Sequence, residues 1–148
     1  RKIWIGGHTF DVTGEGYEPE GSIFSEGNNV NFSNRKDLYI LCQVAALDNK
    51  ATLVPPLDRK KSRWTAFGDS TDAALLVLAA KAGIQYKQEL IQNPRVGMIP
   101  FESTRKMMTS IHKGTDGKFT AYTKGAGNEI LSKCTSVYWN TKITPLTE

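Results

Sequence analysis

Three short segments of the sequence carry residue types that could do chemistry together. In Phe67-Gly68-Asp69-Ser70-Thr71-Asp72, two carboxylates stand just ahead of an apolar run. Asp69 or Ser70 would cap a helix there, and Asp72 would face its positive end. A carboxylate so placed could also accept a hydrogen bond from a ligand's exocyclic amine. In Ile99-Pro100-Phe101-Glu102-Ser103-Thr104-Arg105-Lys106-Met107-Met108, an aromatic ring precedes two adjacent cations. That order suits a base stacked on Phe101 with phosphates beyond it. In Tyr122-Thr123-Lys124-Gly125-Ala126, a lysine ends a strand and small residues open the next element, so cation and backbone can both approach a ligand. Each segment also has an ordinary explanation taken singly: a helix start, an edge strand broken by Pro100, a strand-to-helix turn. Nothing else suggests catalysis. His8 and His112 are isolated from any zinc-ligand pattern, and the sequence has no Gly-x-Ser-x-Gly elbow, Walker lysine loop or dinucleotide fingerprint.

The elements that must position these segments follow from periodicity. Residues 2–13 alternate around Gly6-Gly7 and read as a hairpin; residues 14–34 read as a surface loop with little pattern. Apolar spacing predicts helices over 36–49 and 71–82, the second closed by Gly83. Short strands are expected at 53–54, before Pro55-Pro56, and at 64–67. Residues 84–94 are a connection without a clear signal. Strands are expected at 95–101, 106–112 and 118–124, the last two joined by Gly114-Thr115-Asp116-Gly117, and a helix over 128–134. Strands and helices come in blocks, which points to an α+β domain: an antiparallel β-sheet flanked by helices.

Composition bounds the rest. The chain has 148 residues with 19 Lys+Arg against 15 Asp+Glu, a net charge of +4. Hydrophobic residues at 39% and charged residues at 23% exclude a disordered chain and suit one globular domain. The longest apolar run, Ala73 to Ala80, falls far short of the roughly 20 residues that span a bilayer. The basic run 58–63 reads as a solvated loop, with a phosphate patch as the minority reading. Cys42 and Cys134 read as a reduced, buried pair without metal-ligand spacing. The chain opens Arg-Lys-Ile-Trp, with no initiator Met and no apolar leader. It is expected to be a piece of a longer protein.

Order and spelling together point further. Gly68-Asp69-Ser70-Thr71-Asp72-Ala73-Ala74-Leu75 resembles the Gly-Asp/Glu-x-Thr-Glu-x-Ala-Leu stretch of P-type ATPase nucleotide-binding domains. Phe101, Ser103, Arg105-Lys106 and Met108 resemble their Phe-Ser-x-x-x-Lys segment, and Lys124-Gly125-Ala126 with the later Cys134 is similar to their Lys-Gly-Ala-Pro-Glu motif. Val12-Thr13-Gly14-Glu15-Gly16-Tyr17-Glu18-Pro19-Glu20-Gly21 is similar to the start of this domain in calcium-type pumps. The four matches are in order and cover residues 2 to about 146, and the lack of a His-Pro dipeptide argues against the heavy-metal branch.

The resemblance implies a single cytosolic nucleotide-binding domain over 1–148, part of a membrane pump, with no metal ligand of its own. Phe101 would stack on adenine and Asp72 would read its amine. Lys124 would floor the pocket, with Gly125 and Ala126 leaving backbone room. Lys106 would reach the phosphates, and Met108 would pack beside the base. The implied partners are ATP, with Mg2+ in the parent, and the phosphorylation and actuator domains of the same chain; no nucleic acid is expected, and the membrane only through the parent. The Asp-Lys-Thr-Gly-Thr and Thr-Gly-Asp motifs do not occur in this sequence, so it is expected to bind ATP without hydrolysing it. Three departures weaken the fit: Asp72 where glutamate is usual, Ser103 where arginine is common, and Gly127-Asn128 in place of Pro-Glu. Binding on the order of millimolar, or about −4 kcal/mol, is expected. Two alternatives stay open: a basic, aromatic-bearing sheet that binds single-stranded nucleic acid, and a domain of this fold that lost its nucleotide.

Overall fold

The computed structural model describes residues 1–58, 63–139 and 141–147. Its first hairpin forms around Gly6-Gly7, as β1 (Lys2–Ile5) and β2 (His8–Val12), with Ile3 opposite Phe10. Both glycines hold positive φ, 58° and 78°, which the tight primed turn requires. The sheet then grows through residues expected to be loop. Strand β3 (Ile23–Ser25) pairs with β2, and β4 (Asn28–Asn29) pairs with β3 across a Glu26-Gly27 turn. A strand of three residues offers only Ile23 to the core, too little alternation to register as a pattern.

Helix α1 (Lys36–Leu47) and helix α2 (Ser70–Lys81) fall where periodicity predicts, and β5 (Thr52–Val54) and β6 (Thr65–Phe67) pair between them. Asp69 caps α2, accepting hydrogen bonds from the Thr71 and Asp72 N–H groups at 2.8 and 3.3 Å. At the other end Gly83 takes φ 81°, its N–H donates to Ala80 O and that of Ile84 to Ala79 O, the Schellman arrangement. That closure turns Ile84 into the core, and residues 84–94 then form α3 (Tyr86–Gln92). The main core gathers Phe10 and Ile23 from the first sheet, Leu38, Cys42 and Ala46 from α1, and Ala79 from α2. Burial pushes the Cys42 thiol up to about 12, as expected for an inert core cysteine.

Strands β7 (Arg95–Glu102), β8 (Met107–Lys113) and β9 (Phe119–Gly125) make a three-stranded antiparallel sheet, as the sequence predicts. The helix after it, α4 (Gly127–Leu131), stops short of 134, and a hairpin follows: β10 (Ser136–Trp139) and β11 (Lys142–Pro145). Cys134 is exposed, which corrects its expected burial, because the shortened helix leaves it in the turn beyond. His112 lies buried in β8, its Nδ1 on Asn93 O at 2.8 Å, while His8 is exposed in β2. Every described strand pairing is antiparallel, so the α+β class stands, with the strands divided among several small sheets. Of the basic run, Arg59-Lys60-Lys61 lies outside the described residues. No described helix is long and apolar enough to cross a membrane.

Phe10 is fully buried and joins the first sheet to α1. Phe10→Ala is therefore expected to cost roughly 3–5 kcal/mol in urea denaturation, by lost transfer energy and a residual cavity.

Candidate functional site

The register of the three-stranded sheet aligns the segments that sequence alone left scattered. Ile99 pairs with Thr109 and Glu102 with Met107, so Pro100 and Phe101 together oppose Met108, a β-bulge. Met108 in turn pairs with Lys124 on β9. One rung across the sheet thus runs Phe101, Met108, Lys124. The Lys124 side chain then reaches off the sheet to α2, where its Nζ lies 2.6 Å from Asp72 Oδ1. Four of the residues singled out in the sequence form one connected row.

Their surroundings differ sharply along that row. Asp72 is 7% exposed and Met108 4%, whereas Phe101 is 62% exposed on its bulge. Asp72 sits in the first turn of α2, where the helix dipole favours its charge. The Lys50 N–H donates to its second oxygen at 3.0 Å, so both carboxylate oxygens are engaged. Lys124 Nζ also donates to Asp48 O. A free aromatic face therefore stands at one end, and at the other a largely buried ion pair in which Lys124 uses two of its three N–H donors.

The groups that hold this pair were not visible in the sequence. The turn leaving α1 is buried: Asp48 and Asn49 are both fully inaccessible. Asn49 Nδ2 donates to Ala45 O at 2.9 Å and Asp72 O at 2.7 Å, its Oδ1 accepts from Ala51 N, and its own carbonyl accepts from Arg95 Nη1. One asparagine so ties α1, α2 and β7 together behind the pair. A polar Asp-Asn-Lys triplet after a helix ordinarily reads as a solvated C-terminus, so no local signal marks it. Burial also lifts the Asp48 carboxyl above the usual carboxylate range; the Ser110 hydroxyl and the Lys124 charge oppose that shift, and Asp72 adds to it. Among the described residues neither Asp48 oxygen has a hydrogen-bond partner in ordinary geometry, and Ser110 Oγ is already 3.1 Å from His112 Nε2.

The remaining residues have structural partners of their own. Lys106, at φ 53° in the β7–β8 turn, pairs with Glu129 of α4 at 3.2 Å. Both ends are exposed, so this pair is worth about 0–1 kcal/mol and opens readily. Arg105 Nη2 donates to Pro100 O and Met107 O, which closes the same turn. Gly125 faces Met107, and a Cβ there would lie 2.6 Å from that residue's Cβ and against the Lys106 carbonyl. Its missing side chain leaves room for the β8 backbone. Ala126 donates its N–H to Lys106 O at 3.0 Å and precedes α4, while Gly127 and Asn128 open that helix without a side-chain cap. Among the described residues no three His, Cys, Asp or Glu side chains gather as metal donors.

Comparison with known proteins adds an independent line. The family model described as P-type ATPase, cytoplasmic domain N, matches residues 37–148. A Calcium-transporting ATPase of Bacillus subtilis (strain 168) is 33% identical over 139 residues, 93% of this chain and 15% of that protein. Cation-transporting ATPase pma1 of Synechocystis sp. is 33% identical over 136 residues, 91% of this chain and 15% of its own. The Sodium/potassium-transporting ATPase subunit alpha of Tetronarce californica is 33% identical over 116 residues, 73% of this chain. The chain spans about 15% of the length of the first two relatives.

Removing one partner of the buried pair strands the other in low dielectric. Lys124→Ala is thus expected to lose roughly 3–5 kcal/mol in denaturant titration, whereas Phe101→Ala should change stability little. Restoring neutrality with Asp72→Asn in the Lys124→Ala background should recover part of the loss.

Proposed function

The chain belongs to the family of P-type ATPase cytoplasmic N domains, and from that membership we propose that it binds ATP on behalf of a cation-transporting parent. The observation that supports this reading most is the row Phe101, Met108, Lys124, Asp72, which joins three sequence motifs through strand register and one ion pair. Adenine stacks on the exposed Phe101 ring, which already stands free of the core and needs no rearrangement to accept a planar base. Met108 and the Lys124 stem line the pocket beside it.

Asp72 reads the adenine amine through a remaining lone pair, since each of its oxygens accepts one hydrogen bond and a carboxylate oxygen can take two. Lys124 has one N–H left over, directed by the two bonds it already makes. Lys106 exchanges its exposed Glu129 partner for the phosphates, a switch of low cost because that pair is solvated. Gly125 and Ala126 act by holding the β8–β9 end and the start of α4, which sets the pocket's rim.

In the parent, which several similar proteins suggest is an ATP-driven cation pump, this domain presents the γ-phosphate to an aspartate of a separate phosphorylation domain on the cytoplasmic side of the membrane. Phosphoryl transfer of that kind depends on positioning and charge neutralisation, so a domain without catalytic groups of its own suffices for the nucleotide's base and ribose. The branch is calcium-type on the motif spelling.

Titration of the 15N-labelled chain with ATP, ADP and GTP tests the reading. Saturable shifts around Phe101 and Lys124, with adenine preferred and a Kd on the order of millimolar, are expected. Phe101→Ala should weaken ATP binding about tenfold, the loss of a stacked aromatic. Unchanged titration in that variant would move the pocket elsewhere. Salt-sensitive oligonucleotide binding tighter than ATP would favour the nucleic-acid alternative, and no binding at all a fold that lost its nucleotide.

A further inference from the structure

Among the described residues, Asp48 is the one fully buried carboxylate that the ATP reading leaves unused. It closes α1, lies behind the Asp72–Lys124 pair, and lends its backbone carbonyl to Lys124 while its own oxygens find no hydrogen bond among the described residues. A buried carboxylate whose nearest donors, here Ser110 and Lys124, fall outside good hydrogen-bond geometry is held more easily as the neutral acid than an exposed one is.

We infer that Asp48 is a positioning residue of the nucleotide site: its carboxyl, sealed behind Lys124, decides how much of the lysine charge reaches the ligand, so nucleotide affinity depends on whether Asp48 is protonated. This inference rests on the ATP-binding reading. Its basis is charge balance in a closed cluster. With Asp48 neutral, one carboxylate, Asp72, stands against one ammonium, Lys124, and the third Lys124 N–H is left for the nucleotide. With Asp48 ionised, two carboxylates share the same ammonium. The cluster turns net negative and the lysine is held inward, away from a polyanionic ligand.

The groups facing Asp48 are few. From α2 comes Asp72, which opposes its ionisation; from β9 Lys124, which favours it; and from β8 Ser110, whose hydroxyl also favours it and meets buried His112, while the Arg95 guanidinium of β7 lies on the neighbouring Asn49 O at 2.9 Å. Burial is the largest influence and it favours the acid. The sign follows. The folded free protein holds the proton to higher pH than an exposed aspartate does, so affinity is full on the acid side of that titration and falls as pH rises through it. Reciprocally, bound nucleotide must move the Asp48 titration to still higher pH.

Two measurements test this. ATP affinity is read by NMR shift from about pH 5 to about pH 8 for the parent and for Asp48→Asn, and the Asp48 carboxyl carbon is followed by 13C NMR in the parent, with and without ATP. The terminal phosphate of ATP titrates in the same interval, but equally against both proteins, so the difference between the two profiles isolates Asp48. The parent should weaken relative to Asp48→Asn by about tenfold as its own Asp48 carboxyl carbon titrates, and the variant should bind more tightly on the alkaline side of that titration. The carboxyl carbon should titrate above the ordinary aspartate range and move upward with ATP. Identical profiles in the two proteins overturn the inference and leave ATP binding standing. So does an Asp48 titration that ATP does not move, a result that holds even where Asp48→Asn fails to fold. Absence of ATP binding in both proteins at every pH overturns the nucleotide reading, and this inference with it.

Discussion

A single ammonium group organises this domain. Lys124 leaves the end of β9 and meets the end of α1 through Asp48 O and the start of α2 through Asp72 Oδ1. Three elements distant in sequence are thereby fixed to one point. An unpaired charge at that depth is costly, so the geometry tolerates little drift. Asn49 and the Lys50 N–H complete the arrangement from the other side, each bound to Asp72. The helix pair and the sheet are consequently registered to each other by polar contacts beside a small apolar cluster of Ala51, Ala73 and Leu76, while the main core gathers around Phe10, Leu38 and Ala79.

That division has consequences along the row of candidate residues. At the buried end, Asp72 and Lys124 have defined partners and cannot move independently. At the open end, Phe101 rides on a bulge and is exposed, and the Lys106 side chain meets Glu129 in a solvated pair. A rigid floor with a free aromatic face and a releasable cation suits a ligand that must be gripped at one end and handed on from the other. Apolar groups of equal volume are often as good for stability as a buried ion pair, so the Asp72–Lys124 contact is a constraint on geometry more than a source of stability.

The glycines illustrate how local chemistry and tertiary demand can coincide. Gly83 takes a positive φ that closes α2, and its role can be read from its place after an apolar helix. Gly125 has no such conformation to adopt; it is small because the backbone of the Lys106–Met107 segment lies where its side chain would be. A sequence shows the first kind of glycine and conceals the second.

The two long helices, the Gly6-Gly7 hairpin and the β7–β8–β9 sheet were all legible in the sequence, because each has a period and a punctuating turn that act within a dozen residues. Asp72, Phe101 and Lys124 were legible as candidates by type and order alone. What only the tertiary structure decided was their alignment. The bulge that sets Phe101 opposite Met108 is a matter of register, and the ion pair across to α2 depends on where a helix docks. The burial of Asp48 and Asn49 was hidden for the same reason. A polar triplet after a helix has the same spelling in solvent as in a core, and what separates the two is which elements close over it, a property of long-range packing that no local window contains.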